Sequence, residues 1–446
     1  MSEFTAIGTR TRILNQALSV FILIVLIISP LMIGSNRPVF WLINSTAVMS
    51  VTALVLLLAT FGIMRIRVSL NRWRLIAALG LIYIVGVTVQ MGLTGLFPNS
   101  GMHSQSTVLI GLLRVISYGC LFFLILQVAS NVKRARRLAW GVFGVVIAMA
   151  IYSLVSQQAP ELLFYEKAEG VKVVTGPFIN RNSLATYLAF GCALGTALVL
   201  RGDREGKMRN KRRRMDVEMV AGRLALFVAV LLMFATILTT GSRMGTFVGL
   251  LGIFVPVVLR VSQAEKASGS RQALVGLSIT VVGVLAFVVV SAMYGGVVFD
   301  RLGSTGLASD VRLALYDNIW NVVMQRPFTG HGFDSFELAF RTGHELPVSP
   351  DLRWQNAHNT YLELWVELGL ILGSIPPLIC GVILLRLIKR GATNQYTGYL
   401  AQAAVAAIVI AAVHSFVDFS LEIEANVFLF IVILGLGLAP DDSKIK

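Results

Sequence analysis

Residues 14–33 read LNQALSVFILIVLIISPLMI, a run without a single charge. A bilayer's hydrocarbon core is about 30 Å thick and is crossed by about 20 apolar residues in a helix. The run meets that requirement. No small-residue cleavage site follows it, so it is expected to stay in the chain as a span and not to be removed as a signal peptide. Arg10 and Arg12 stand just before it. Eleven further candidate spans follow, at about 40–62, 75–93, 107–128, 138–156, 183–200, 222–240, 244–260, 273–294, 359–385, 399–416 and 425–439.

The composition agrees with that reading. The 446 residues are 56% hydrophobic and 14% charged, against roughly a quarter charged in soluble domains. So few charges cannot cover the surface of a soluble enzyme. The expectation is an all-α integral membrane protein of about twelve transmembrane helices, forming one polytopic domain over residues 1–446. Cys120, Cys192 and Cys380 all lie within apolar runs, which indicates neither a disulfide framework nor a thiolate metal site.

The net charge of +15 is resolved by its placement. Every second connection is basic, including RIRVSLNRWR at 65–74, NVKRARR at 131–137 and RGDREGKMRNKRRRMD at 201–216. Alternation of this kind is the positive-inside bias, and with an even number of spans it puts both termini in the cytoplasm. Anionic lipid headgroups suffice as partners for the basic runs, and no nucleic acid is implied.

Two outer connections are long, from Gln157 to about Asn182 and from about Gly295 to His358. The second, 295–358, is read as a periplasmic loop inserted between the ninth and tenth spans. Helical spacing of Val311, Leu315, Trp320 and Val323 marks an amphipathic surface helix within it, followed by an ordered loop.

Ionisable groups at the outer membrane face are costly, and each invites a functional hypothesis. Thr175-Gly176-Pro177-Phe178-Ile179-Asn180-Arg181-Asn182-Ser183 precedes the sixth span. Asn182 or Ser183 can cap the helix, which puts Arg181 beside a helix N-terminus suited to phosphate. The alternative is an interfacial arginine snorkelling to headgroups. Thr240-Gly241-Ser242-Arg243-Met244-Gly245 joins the seventh and eighth spans in a turn so short that Arg243 sits at the tip of a tight hairpin. Gly245 and Gly249 give the eighth helix a close-packing spacing.

The tenth span opens with His358 and Asn359, and Asn359, Glu363 and Glu367 recur every four residues. They form one polar stripe that must face protein or water. An imidazole at its mouth suits proton transfer from a hydroxyl near neutral pH; a capping histidine above a structural acid pair is the alternative. Arg114 inside the fourth span is expected to pair with a membrane acid, Glu363 or Glu367 among them. His414, Asp418, Glu422 and Glu424 cluster near the last outer turn.

The stretch His358 to Gly369 resembles the signature of the O-antigen ligase and O-antigen polymerase superfamily. Gly176 to Asn182 before a span, Thr240-Gly241-Ser242-Arg243 in a hairpin, and Arg312, Trp320, Pro327 and Gly330-His331-Gly332-Phe333-Asp334-Ser335-Phe336 in the long loop are similar to it in order. The resemblance spans about residues 170–385. It implies a C-type membrane glycosyltransferase of the bacterial inner membrane, its site facing the periplasm, which uses an undecaprenyl diphosphate-linked glycan donor without cofactor or metal. The acceptor is a lipid A core sugar in ligases and a growing glycan in polymerases. Arg181 and Arg243 would clamp the diphosphate and His358 would act on the acceptor hydroxyl. Asn180, Asn182, Ser242, Arg312, His331, Asn359, Glu363 and Glu367 would support the site, with His331 able to share the base role. Ligase is the first expectation, polymerase the second, and a polysaccharide or lipid transporter the alternative from another class.

Overall fold

A computed structural model describes residues 2–96, 105–165, 173–201, 217–265, 310–343, 345, 348, 353–393 and 398–439. Among the described residues there are fourteen α-helices, three short 3-10 turns and no strand. The chain is an all-α integral membrane protein. Eight helices are long and apolar enough to cross a membrane: α1 (Ser2–Leu31), α2 (Pro38–Thr60), α3 (Leu70–Leu96), α4 (Gln105–Ala129), α5 (Val132–Gln158), α6 (Arg181–Val199), α7 (Val217–Thr239) and α8 (Arg243–Glu265). The expected span at 273–294 lies outside the described residues.

α6 is the hub of the bundle. Its apolar segment is 89% buried, against 22–44% for the other seven, and its mean hydropathy is 1.3 against 2.0–2.3. The two numbers have one cause, because a helix surrounded by protein meets side chains instead of lipid and uses small residues to let neighbours approach. A Cβ added at Gly191 would lie 2.4 Å from Val146 of α5, and one at Gly195 would lie 2.6 Å from Val230 of α7. From the other side, a Cβ on Gly245 of α8 would sit 2.4 Å from the Ala185 Cβ. The outer helices instead turn Leu54, Leu57, Leu81 and Ile82 outward.

α9 (Asp310–Gln325) and α10 (Phe336–Gly343) belong to the long connection before the tenth span, which is expected to be periplasmic. α9 is the expected amphipathic helix, but its buried stripe is Leu315, Ile319, Val322 and Val323, while Trp320 is 42% exposed. α10 occupies a segment expected to be loop. Its Phe336 and Phe340 close a small core with α9 and with Val366 of the next helix.

The tenth span is broken, not continuous. α11 (Thr360–Gly373) and α12 (Ile375–Thr393) meet at a 67° bend, and Gly369 leaves the helix with φ 74° and ψ 169°. Pro376 and Pro377 do not make the break, because they lie in the first turn of α12, where a missing N–H costs little. The break comes from docking. Pro327 O accepts from Leu370 N at 2.7 Å, while His331 N and Gly332 N donate to the carbonyls of Val366 (2.9 Å) and Glu367 (3.0 Å). Gln90 of α3 donates to the same Glu367 carbonyl at 2.7 Å. Backbone groups released by a broken helix must be satisfied by protein in this way.

Gly330 makes the docking possible. It holds φ +64°, and an added Cβ would lie 2.2 Å from the Glu367 carbonyl oxygen. Gly330→Ala is expected to cost on the order of 2 kcal/mol through forced strain and lost docking. Thermal unfolding in detergent checks this, and an unchanged melting temperature would mean that the loop does not grip the helix.

α13 (Gly398–His414) and α14 (Glu424–Gly437) complete the fold. They are shorter than the expected spans at 399–416 and 425–439 and almost wholly buried, so protein packing governs their length.

Candidate active site

Four chain turns meet at one end of the bundle. The turn before α6 is held by Tyr165, whose hydroxyl donates to the carbonyls of Gly176 (3.1 Å) and Phe178 (2.8 Å). The α6 cap is Asn180, not the expected Asn182 or Ser183. Asn180 is the last extended residue, at φ −98° and ψ 124°, and its side chain accepts from Asn182 N at 2.8 Å. Arg181 therefore stands at the first helical position. The α7–α8 hairpin repeats the arrangement: the Ser242 hydroxyl accepts from Gly245 N at 3.0 Å, and Arg243 opens α8.

With its backbone in the first turn of α6, Asn182 is free to use its side chain elsewhere. Its Oδ1 accepts from the Ser242 hydroxyl at 2.8 Å, and its Nδ2 donates to Asp418 Oδ1 at 2.8 Å. Asp418, between α13 and α14, also accepts from the Ser420 hydroxyl. Its carbonyl takes the Thr360 hydroxyl at the start of α11, 3.1 Å away. Arg181, Arg243 and the α11 entrance are thus fastened through one chain of hydrogen bonds, Ser242–Asn182–Asp418–Thr360, in which Asn182 alone is half-buried and the other three are buried. Asn182→Leu is expected to leave Ser242 and Asp418 short of these bonds and to destabilise the fold by on the order of 2 kcal/mol. A melting temperature equal to wild type would show that the chain does not hold the two hairpins.

The α11 entrance is a second cap. Asn359 accepts from the N–H groups of Tyr361 (3.0 Å) and Leu362 (3.1 Å). Glu363 reaches back to take Asn356 Nδ2 and Ala357 N, each at 3.0 Å. Together they clamp the segment carrying His358, which adopts φ +51°. That conformation is uncommon for a residue other than glycine and is kept only where its surroundings enforce it. The His358 carbonyl accepts from the Tyr316 hydroxyl of α9 at 2.9 Å. Its ring meets Phe419 edge-on at 5.0 Å and Trp354 at 6.3 Å.

The polar stripe of α11 faces protein. Asn359, Glu363 and Glu367 are all buried, and Glu367 accepts from Phe336 N at 3.1 Å. His331 lies in the loop that docks on α11 beside Glu367. Its Nε2 meets the Val322 carbonyl at 3.0 Å, and since a carbonyl only accepts, that nitrogen carries the proton. Burial pushes the His331 imidazole below its ordinary pKa. The structure does not bring His331 to His358 or to the arginines. Arg312 belongs to α9, but its side chain lies outside the described residues.

Arg114 pairs with an acid, as expected, and that acid is Glu422 at 3.2 Å, not Glu363 or Glu367; its guanidinium lies over the Trp41 ring at 4.4 Å. Next to it Glu424, fully buried, is held by Asn44 (3.0 Å) and Ser45 (3.1 Å).

A cleft of about 480 Å³ opens beside these elements. Asn180 and Arg181 line it together with Arg37, Gln355, Asn356 and Phe419. Phe419 and Asn356 connect it to His358, through ring contact and through the clamped segment. Neither His358 nor Arg243 is itself among the lining residues. Sequence reasoning missed Arg37, Phe419 and Tyr316. Arg37 had one signal, a positive charge in a connection expected to lie on the side that basic residues avoid.

Fold and site together define a class: a multi-pass membrane protein with arginines at the first positions of two helices that are tied together at one end of the bundle, near a histidine and a polar cleft. The O-antigen ligase family model matches residues 228–376, which hold Ser242, Arg243, α9, the docked loop and α11. That match supports the O-antigen ligase and polymerase superfamily. No curated protein matches it.

Proposed function

We propose that the protein is an O-antigen ligase that transfers a preassembled glycan from undecaprenyl diphosphate to a sugar hydroxyl of lipid A core. The observation that carries this reading is the Asn182 bridge, which ties the Arg181 and Arg243 helix starts to each other and to the α11 entrance. Guanidinium groups at helix N-termini suit an anionic leaving group, because charge-assisted bonds and the helix dipole act in the same direction. In one displacement the acceptor oxygen bonds to the anomeric carbon as the carbon–oxygen bond to the diphosphate breaks, inverting that carbon. The bonding electrons leave with undecaprenyl diphosphate, stabilised by arginine charge. His358 takes the acceptor's proton.

The alternation of basic connections supports an inner-membrane protein with both termini cytoplasmic and the cleft facing the periplasm. Reconstitution tests the assignment. The purified protein is given undecaprenyl diphosphate-linked repeat units with and without lipid A core. Glycan on lipid A core is the expected product. A ladder of longer undecaprenyl-linked chains in its absence would make the protein a polymerase, and no product in either case would favour transport.

A further inference from the structure

The first turn of the chain, between α1 and α2, is built with unusual strain. Ile33, Gly34 and Ser35 adopt φ of 59°, 65° and 54° in succession, a conformation that residues with a Cβ avoid. Strain of this kind persists only where the surroundings enforce it, and it concentrates at functional sites. Here the enforcement is explicit. The Ser35 hydroxyl donates to Ser29 O and accepts from Asn44 Nδ2, both at 2.8 Å, and Trp41 Nε1 donates to the Ser35 carbonyl. Asn44 is fixed in turn by buried Glu424.

The held turn does two things. It seats Gly34 under Phe178, so closely that an added Cβ would lie 2.6 Å from the Phe178 ring. Phe178 stands three residues before Arg181, so the first turn and the Arg181 turn form one docked unit. It also delivers Arg37, in extended backbone at φ −132° just before Pro38 opens α2, into the cleft that Arg181 lines. Among the described residues no carboxylate forms a salt bridge with Arg37. Asn36 and Asn180, each next to one of these arginines, line the cleft as well.

Two arginines on one cleft fit a ligand with two anionic centres, since each planar fork can take two oxygens of one phosphoryl group. Resting on the ligase reading above, we infer that Arg37 is a further ligand of the donor's diphosphate, gripping it from the α2 side of the cleft while Arg181 grips it from the α6 side. Arg37 and Arg181 both lie outside the region matched by the family model, and the second grip is supplied by the turn between α1 and α2.

Binding to the full-length protein in detergent tests this. Undecaprenyl diphosphate, inorganic pyrophosphate and phosphorylated lipid A core are titrated separately into wild type, Arg37→Ala, Arg37→Lys and, as a charge control, Arg10→Ala, with a melting temperature for each. Arg37→Ala is expected to bind both diphosphates about 10- to 100-fold more weakly. Arg37→Lys should recover only part of that, Arg10→Ala should match wild type, and the melting temperature should hold, since Arg37 is exposed. Wild-type affinity of Arg37→Ala for both diphosphates would overturn the assignment while leaving the ligase reading intact. Weakening only toward lipid A core would move Arg37 to an acceptor phosphate and also overturn it. Wild type that binds neither diphosphate would fail the donor assignment itself.

Discussion

Arg181→Ala and Arg243→Ala should each lower glycan transfer by about 10²- to 10³-fold while the protein still folds, the loss typical of removing one preorganised donor from a developing negative charge. Both residues occupy the first position of a helix whose cap is made by the preceding residue, Asn180 or Ser242. Truncating the arginine leaves that cap and the Asn182 bridge in place, so melting temperature and expression should stay near wild type. Lysine should recover little at either position, because a point charge cannot replace a planar two-pronged donor. The measurement is the transfer rate in detergent with the donor saturating. Arg243→Lys at wild-type rate would rule out two-pronged phosphate binding there, and wild-type rates in both alanine variants would remove the arginines from the site.

His358→Ala should reduce transfer by about 10²- to 10⁴-fold, the range for loss of a positioned general base, and should leave binding of undecaprenyl diphosphate unchanged. A purely structural histidine gives another pattern, in which expression and melting temperature fall along with the rate. The pH profile separates the two further. An imidazole accepts a proton only when neutral, so the wild-type rate should fall on the acid side and the residual rate of the variant should lack that limb. An acid limb of the same shape in His358→Ala would assign the titrating group elsewhere. His331 is the obvious comparison. Its Nε2 is committed to the Val322 carbonyl, on the docked loop beside Glu367, so replacing it should act mainly on stability.

Parts of the site were legible in the sequence. Arg181, Asn182, Ser242, Arg243 and His358 stand out as candidates because charged and amide groups at the ends of apolar runs are costly. Other parts were not legible there, for identifiable reasons. Asn359, Glu363 and Glu367 share a helix face as their spacing requires, yet each faces a different partner. Asn359 caps its own helix, Glu363 clamps the His358 segment, and Glu367 anchors the loop before α10. Periodicity tells which side chains share a face and nothing about what is packed against it. The cap at Asn180 was misjudged because Asn180 and Asn182 both suit a helix start, and only the backbone conformation chooses between them.

The sequence by itself determined the all-helical membrane class and the position of most helices, because in hydrocarbon an apolar run of 20 residues can satisfy its backbone only as a helix. The charged connections carried the expectation of sidedness in the same local way. The tertiary structure alone decided how the site is assembled. The Asn182–Asp418 bond joins residues 236 apart in the chain, and Arg37 and Arg181 come to line one cleft where Gly34 seats on Phe178. The break in the tenth span likewise depends on a loop some forty residues upstream, whose backbone captures the freed carbonyls of Val366 and Glu367. Each of these is a pairing between distant segments, set by how whole helices pack around α6, and local sequence pattern carries no record of it.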